Sequence, residues 1–332
     1  MKTHTLLTVQ EATALINAGK VMALAGDEAL LRQLPKGNWI AGTIPYFIAD
    51  EGGVESRERL YASELTQVGA ADVEIKTYTL DTIKNIAADG PDNGYTIVIL
   101  PARSAIHTEY ANHGRDYEGM FIKPIVGWIA GVHLDDLNRA APKVVDGSAG
   151  AVLAAEAVAM HVTLSADKMA VIHILNLFRQ DPDADVITFA ETGFSASTCL
   201  VNGKPAVLAE YLAAKRIDLK LPLVADYNGA QINTSFQGVD PDGRTVHFYA
   251  PVFPGIEYRQ AAPVGDYVAE LGALADGAHG GVQFSCNCIL NYLYGELQGR
   301  KTGDLYGPAT FGEVAYQLLN QTLVYLDVRS VS

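Results

Sequence analysis

The chain has 332 residues, 49% of them apolar and 19% charged, so it can bury a large core and is not a disordered chain. Because a single core rarely exceeds about 250 to 300 residues, the length predicts two domains. The 24 Lys and Arg against 38 Asp and Glu give a net charge of −14, which disfavours nucleic acid and anionic membrane surfaces as partners.

The N-terminal residues have neither the apolar core of a secretory signal nor the Arg-rich pattern of a transit peptide. No apolar run approaches the roughly 20 residues that cross a bilayer. Three cysteines, Cys199, Cys286 and Cys288, are an odd count in a long chain and favour a reducing compartment. We therefore expect a cytoplasmic protein without a membrane anchor.

The first half of the chain alternates helix and strand patterns. Thr8 and Glu11 have capping-box spacing at the start of a helix that Gly19 can end. Short strand-like runs follow, namely VMALAG, WIAGTI, VEIKTYTL and YTIVIL, with helical patterns in DEALLRQL and SAIHTEYAN. This rhythm predicts an α/β (α+β) fold of two lobes, with mixed parallel and antiparallel sheets flanked by helices, and residues 1–141 as the first domain.

The second predicted domain, residues 142–332, opens with a loop-like stretch at Pro142. Asn202 and Gly203 predict a tight turn, and Pro205 suits the first turn of a helix that follows it. QINTSF and TVHFYAPVF predict an antiparallel hairpin joined by DPDGR.

The stretch GGVQFSCNCILNYLYGELQG predicts a buried strand followed by a helix from Cys286 onward. A thiol at a helix N-terminus has a lowered pKa, and the free amides there can hold an anion, so Cys286 is a candidate ligand contact or nucleophile. The alternative is that Cys286 and Cys288 are small buried side chains at a crowded corner. His279 is close in sequence, but its surroundings favour an ordinary loop residue over a Cys-His pair.

The sequence gives only weak evidence for a metal site or a nucleotide site. His107, Glu109 and His113 fall in one predicted helix, but the two histidines are six residues apart and do not share a face, which favours a solvated helix surface. The C-x-C spacing lacks the second pair of a zinc site, and VGWIAG has no dinucleotide or Walker pattern. We expect no metal and no cofactor.

The stretch TFGEVAYQLLNQTLVYLDV is the second candidate for a site. Thr310 and Glu313 have capping-box spacing, which predicts a helix, and Asn320 begins a final strand. Glu313 is a candidate contact for an ammonium group, and Asn320, Gln321 or Thr322 for a carboxylate. The alternatives are that Glu313 is only the helix cap and that Asn320 and Gln321 form a turn.

These stretches resemble the FIST family, through LVNGKPAVLAEYL, PVFPGIEY, the FSCN corner and TFGEVAYQLLNQTLVYL, with WIAGTIPYFIADEGG as a weaker N-terminal match. One departure is the Cys-Asn-Cys corner, where relatives more often have a single Cys and a Gly. The resemblance implies an N-terminal and a C-terminal FIST domain, a small ligand such as an amino acid, and a signalling output through a separate protein. The ligand contacts that it implies are Cys286, Asn287, Gly312, Glu313, Asn320, Gln321 and Thr322.

The sequence thus predicts a cytoplasmic small-ligand sensor or binding protein for an amino acid or a small carboxylate, with a homo-oligomer among the expected assemblies. The alternative is an enzyme that acts on a small metabolite through Cys286 as the nucleophile. A third hypothesis is a subunit that only mediates assembly. Such a subunit would expose a large apolar patch and would lack a ligand pocket.

Overall fold

A computed structural model describes residues 4–227, 229–275 and 281–331, and His279 lies outside these ranges. In chain order the strands are β1 (His4–Leu7), β2 (Met22–Gly26), β3 (Trp39–Thr43), β4 (Tyr46–Ala49), β5 (Gly52–Glu55), β6 (Leu60–Glu64), β7 (Val73–Tyr78), β8 (Gly94–Pro101), β9 (Ile125–Ala130), β10 (Val144–Asp146), β11 (Ala151–Leu153), β12 (Ala157–Thr163), β13 (Lys168–Leu175), β14 (Ile187–Thr188), β15 (Gly193–Ala196), β16 (Thr198–Val201), β17 (Lys204–Val207), β18 (Leu223–Tyr227), β19 (Ala230–Thr234), β20 (Phe236–Val239), β21 (Val246–Val252), β22 (Tyr258–Gln260), β23 (Val282–Cys288), β24 (Gly307–Thr310), β25 (Glu313–Ala315), β26 (Gln317–Leu319) and β27 (Leu323–Ser330). The α-helices are α1 (Val9–Asn17), α2 (Glu28–Leu31), α3 (Ile86–Asp89), α4 (Ala105–His113), α5 (Leu208–Lys215), α6 (Tyr267–Ala275) and α7 (Ile289–Tyr294).

In the described ranges the strands form four six-stranded sheets and one three-stranded sheet. The strand orders are β1-β6-β2-β3-β10-β11, β26-β25-β9-β8-β12-β7, β13-β27-β23-β24-β4-β5, β17-β16-β14-β22-β18-β19 and β15-β21-β20. The first three sheets mix parallel and antiparallel neighbours, with β2 parallel to β3, β8 to β9 and β23 to β24. The predicted α/β class with mixed sheets flanked by helices is confirmed.

A large core lies between the three mixed sheets. Ile40 of the first sheet, Trp128 of the second and Phe284 of the third belong to one cluster of buried side chains. The Trp128 and Phe284 rings stack with their centroids 5.5 Å apart. This packing fixes the ends of the strands, and the loops that follow them, relative to one another.

Strand pairing crosses the boundary that the sequence predicts between residues 141 and 142. β10 pairs with β3, β24 with β4, β25 with β9, and β12 with β7 and β8. Each mixed sheet therefore contains strands from both predicted domains. The division into residues 1–141 and 142–332 stays a prediction.

Local signals in the sequence are mostly confirmed where they depend on near neighbours. The Thr8 hydroxyl accepts from Glu11 N–H (3.2 Å), and the Glu11 carboxylate accepts from Thr8 N–H (2.8 Å), as a capping box requires. Asn202 and Gly203 form the predicted tight turn, with φ of 49° and 78°. The helix after it begins later than predicted, because Pro205 lies in β17 at the edge of its sheet, where a missing N–H is tolerated.

The hairpin predicted from QINTSF and TVHFYAPVF is wrong in its first strand. β21 pairs with β20, whereas β19 pairs with β18 in another sheet. Ser235 separates β19 from β20, and its N–H donates to Asn320 Oδ1 (3.0 Å) instead of to a strand. A side chain distant in sequence thus interrupts the run.

No helix in the part of the chain that the structure describes has the length and apolar character needed to cross a membrane.

Candidate functional site

Cavities lie next to the carboxyl ends of the parallel strand pairs. Each pair β2/β3, β8/β9 and β23/β24 is followed by residues that line one, namely Asp27, Ile44, Ala102, Gly131, Ile289 and Phe311. Ligands of open α/β sheets bind outside the carboxyl ends of the strands, where loops are free to vary while the sheet stays rigid. This region is therefore the candidate binding site.

The main cavity has a volume of about 400 Å³, a size that suits a small-molecule ligand. Its wall is mostly apolar. It comes from the turn before α4, α4 itself, the segment after β9, α7, the β15, β20 and β21 sheet, the turn after β24 and the turn before β27. The lining residues are Ala102, Arg103, His107, Thr108, Leu134, Leu137, Phe194, Gln237, His247, Phe248, Tyr249, Cys288, Ile289, Leu290, Leu293, Phe311 and Asn320.

His107 brings a buried hydrogen-bond donor to this wall. Arg103 N–H donates to His107 Nδ1 (3.3 Å), which assigns the proton of the neutral ring to Nε2. Burial lowers the pKa of His107 to about 4, so the ring is neutral at pH 7. The side chain is only 9% exposed, and Nε2 has no hydrogen-bond partner among the described residues. A buried N–H without a partner is costly unless something outside the protein accepts from it.

Asn320 brings a second buried hydrogen-bond donor to the wall of the main cavity. It is 1% exposed, and its Oδ1 accepts from Ser235 N–H, but Nδ2 has no partner among the described residues. The Oδ1 contact fixes which end of the amide is the donor. The cavity wall thus contains two buried side chains, each with an N–H group left unsatisfied.

Arg103 adds a positive charge. It lies two residues after the end of β8, is exposed, and has a left-handed backbone with φ of 62°, a conformation that costs energy in a residue with a side chain. Its guanidinium donates from Nη1 to the Leu137 carbonyl (3.0 Å). No Asp or Glu pairs with Arg103 in the described ranges. Because Arg103 also lines the main cavity, its positive charge is available to an anionic ligand there.

The remaining polar wall contains no carboxylate. His247 lines the cavity, but its Nε2 is already 2.8 Å from Asp240 Oδ1. No Asp or Glu of the described chain lines the main cavity. The cavity therefore offers donors and a positive charge to a ligand and has no acid to hold an ammonium group.

The seven contacts that the sequence predicts do come close together, but mostly beneath this cavity. Glu313 Oε2 accepts from Thr322 N–H (3.2 Å) and Thr322 Oγ1 (2.7 Å). The Ser235 hydroxyl lies within hydrogen-bonding distance of Asn320 Oδ1 and Gln321 Oε1. Asn287 belongs to the same region, because Asn291 Nδ2 donates both to Asn287 Oδ1 (2.9 Å) and to the Thr322 carbonyl (3.3 Å). These contacts are internal to the protein.

Gly312 also has a structural role. Its φ is 150°, and a Cβ there would lie 3.1 Å from Ile129 Cγ1. Its carbonyl accepts from Ile129 N–H and from Thr310 Oγ1. Of the seven predicted contacts, Asn320 is the one that lines the main cavity. Whether any of them touches a ligand stays a prediction.

The helix predicted from the spacing of Thr310 and Glu313 is wrong. β25 and β26 form a hairpin that turns at Tyr316, and Glu313 faces Trp128 of β9 in the strand register. Glu313 is therefore no helix cap. Pairing with a strand nearly two hundred residues away overrides the local capping pattern.

The surroundings of Cys286 are the opposite of those that the sequence suggests for a reactive thiol. β23 continues to Cys288, so α7 begins three residues after Cys286. The Cys286 thiol is fully buried and donates to the Gly127 carbonyl (3.4 Å). Burial, and then the nearby Glu313 carboxyl, raise the pKa of Cys286 well above its usual range. The alternative interpretation, a small buried side chain at a crowded corner, fits this geometry.

The helix that holds His107 forms as predicted, but its surface is not simply solvated. His107 packs against Phe194 with ring centroids 5.7 Å apart, while His113 lies on the exposed side, 3.9 Å from Glu109. Across the described ranges, no group of three His, Cys, Asp or Glu side chains is placed to hold a metal ion.

Sequence reasoning missed Arg103 and Phe194 and placed His107 on a solvated face. One usable signal existed, since a serine cap (Ser104) three residues after the buried strand YTIVILP marks a strand-turn-helix unit. The left-handed backbone of Arg103 has no such signal in the sequence.

Comparison with known proteins corrects the family. The FIST resemblance is wrong, because the family model that matches covers residues 7–329 and is a different one. No curated protein and no solved structure matches the chain. Since the match spans nearly the whole sequence, the chain belongs to the family described as a family of unknown function, DUF6976.

Proposed function

We propose that this protein binds a small carboxylic acid with an apolar body in the main cavity. The observation that carries the proposal is the set of donors on an apolar wall. His107 Nε2 and Asn320 Nδ2 have no partner among the described residues, and the guanidinium of Arg103 has no acidic partner there. A carboxylate accepts several hydrogen bonds, and its negative charge can pair with the guanidinium of Arg103. The apolar body would be buried by the remaining wall.

The same wall selects against other small ligands. A zwitterionic amino acid needs an acceptor for its ammonium group, and no carboxylate lines the cavity in the described chain. Of the two ligand classes expected from the sequence, the small carboxylate is therefore the one proposed here.

Signalling through a separate protein was implied by the FIST resemblance alone, and a homo-oligomer stays a prediction. The alternative, an enzyme with Cys286 as its nucleophile, is not proposed, because burial raises the pKa of the Cys286 thiol and so disfavours the reactive thiolate. The cytoplasm is the proposed compartment, supported by three cysteines that are all unpaired.

Thermal and chemical unfolding with octanoate and octylamine test the proposal. A ligand at about a hundred times its Kd stabilises a protein by roughly 2.7 kcal/mol, so saturating octanoate should shift the transition clearly. Octylamine has the same chain with the opposite charge and should give no shift. Equal effects of octanoate and octylamine, or no effect of octanoate, would contradict the proposal.

Arg103→Gly tests the role of the charge, and Arg216→Gly is its matched control. Arg216 is also an exposed arginine with a left-handed backbone, φ of 54°, but it ends α5 and does not line the cavity. Glycine relieves the backbone strain at both positions, so both variants should fold and be as stable as the parent or slightly more so. Titration calorimetry should show octanoate binding at least about tenfold weaker in Arg103→Gly and unchanged in Arg216→Gly, given the strength of charge-assisted hydrogen bonds.

A further inference from the structure

A second cavity, of about 240 Å³, adjoins the main one. The two share four lining residues, Ala102, Arg103, Leu137 and Phe311. These residues therefore form the junction between two spaces. The rest of the second cavity is also mostly apolar and is built from small side chains, including Ala141 and Ala154.

The guanidinium of Arg103 lies at this junction. It donates to the carbonyl of Leu137, and Leu137 lines both cavities as Arg103 does. The guanidinium of Arg103 thus lies between the larger main cavity and the smaller second cavity, and not at the closed end of either. A ligand whose carboxylate meets Arg103 has room for apolar groups on both sides of that carboxylate.

We infer that the ligand is an α-branched carboxylic acid, with a longer apolar arm in the main cavity and a shorter arm in the second cavity. Acids of this class include 2-alkyl fatty acids and N-acyl derivatives of apolar amino acids, in which the amide also removes the ammonium charge that the site cannot pair. The inference rests on the proposed function and specifies its substrate class.

A series of three probes separates the two arms. Octanoate has one arm, N-octanoylglycine adds the amide without a second arm, and N-octanoyl-L-leucine adds a branched apolar side chain beside the carboxylate. Titration calorimetry on the full chain should give a Kd for N-octanoyl-L-leucine at least about tenfold lower than for N-octanoylglycine, the usual gain from filling an apolar subsite.

Ala154→Trp locates the second arm. Ala154 is exposed and lines the second cavity but not the main one, so the indole can fill that space without disturbing the core. Ala213→Trp is the control, because Ala213 is an exposed residue of α5 that lines neither cavity. The preference for the leucine derivative should disappear in Ala154→Trp and persist in Ala213→Trp, while octanoate binds equally to both.

The outcomes distinguish the two proposals. If octanoate and N-octanoylglycine bind but the leucine derivative binds no tighter, or if its preference survives Ala154→Trp, the branched ligand is overturned and the carboxylate site stands. If none of the three acids binds the parent protein, the proposed function and this inference both fail.

Discussion

Glu313 shows how burial sets the charge of a single side chain. Its carboxyl is fully buried, which raises its pKa to about 8 even though the Thr322 hydroxyl and N–H groups pull the pKa down. Oε1 has no partner among the described residues. At pH 7 the group is mostly protonated and neutral. A neutral acid below the cavity wall has no charge with which to pair a ligand ammonium group.

The Glu313→Gln variant should make stability less dependent on pH. The folded-state pKa of about 8 lies above the ordinary value of 4.5, so the folded protein holds a proton that the unfolded chain releases between these values. The stability that this group contributes is complete below pH 4.5 and is lost as the pH rises to 8. Relative to the variant, the parent should lose about 3 kcal/mol between pH 5 and pH 8.

Urea unfolding at pH 5, 6.5 and 8 measures this difference. Glu210→Gln, at an exposed position of α5, is the control and should follow the parent at every pH. A parent and a Glu313→Gln variant whose stabilities differ by the same amount at all three values would show that the folded-state pKa is not raised.

At the scale of elements, the sequence predicts best what neighbouring residues decide. The capping box at Thr8 and the Asn202-Gly203 turn need only contacts a few residues apart, and both form. The strand-to-helix corner is displaced because β23 continues its pairing with β24 as far as Cys288, and the closing helix is replaced by β25, which pairs with β9. Pairing between distant strands has no local signature.

The cap of α4 connects an element to the site. The Ser104 hydroxyl accepts from His107 N–H (3.2 Å) and donates to the Pro101 carbonyl (2.6 Å), and so holds the turn that carries Arg103. Ser104→Ala should lower the free energy of unfolding by about 1 kcal/mol and should also weaken octanoate binding.

Thr8→Ala is the comparison, because it removes the cap of α1 far from the cavity. Urea unfolding should show a similar loss of stability, whereas calorimetry should show unchanged binding. If both variants bind octanoate equally well, the cap of α4 does not position the site.

At the scale of the whole molecule, the three mixed sheets join the two halves of the chain. The predicted boundary would separate β3 from β10, β4 from β24 and β9 from β25. We expect neither residues 1–141 nor residues 142–332 to fold alone, because each fragment would expose unpaired strands from the middle of a sheet. Circular dichroism and urea titration of each fragment test this, with the full chain as reference, and a cooperative transition in either fragment would refute it.

The same long-range organisation limits what the sequence reveals of the site. Asn320 is the predicted contact that lines the main cavity, while Arg103 and His107 are recognisable only once β8, β9 and the β20–β21 hairpin are placed together. A cavity is a property of the space between elements, and the spacing of residues along the chain does not encode it directly.

The wall of the main cavity is contributed by segments from Ala102 to Asn320, more than two hundred residues apart in the chain. A bound molecule would therefore act as a non-covalent tie between turns that are distant in the sequence. Its occupancy should reduce local unfolding in these turns together, so slower amide hydrogen exchange should appear both near Ala102 and near Asn320.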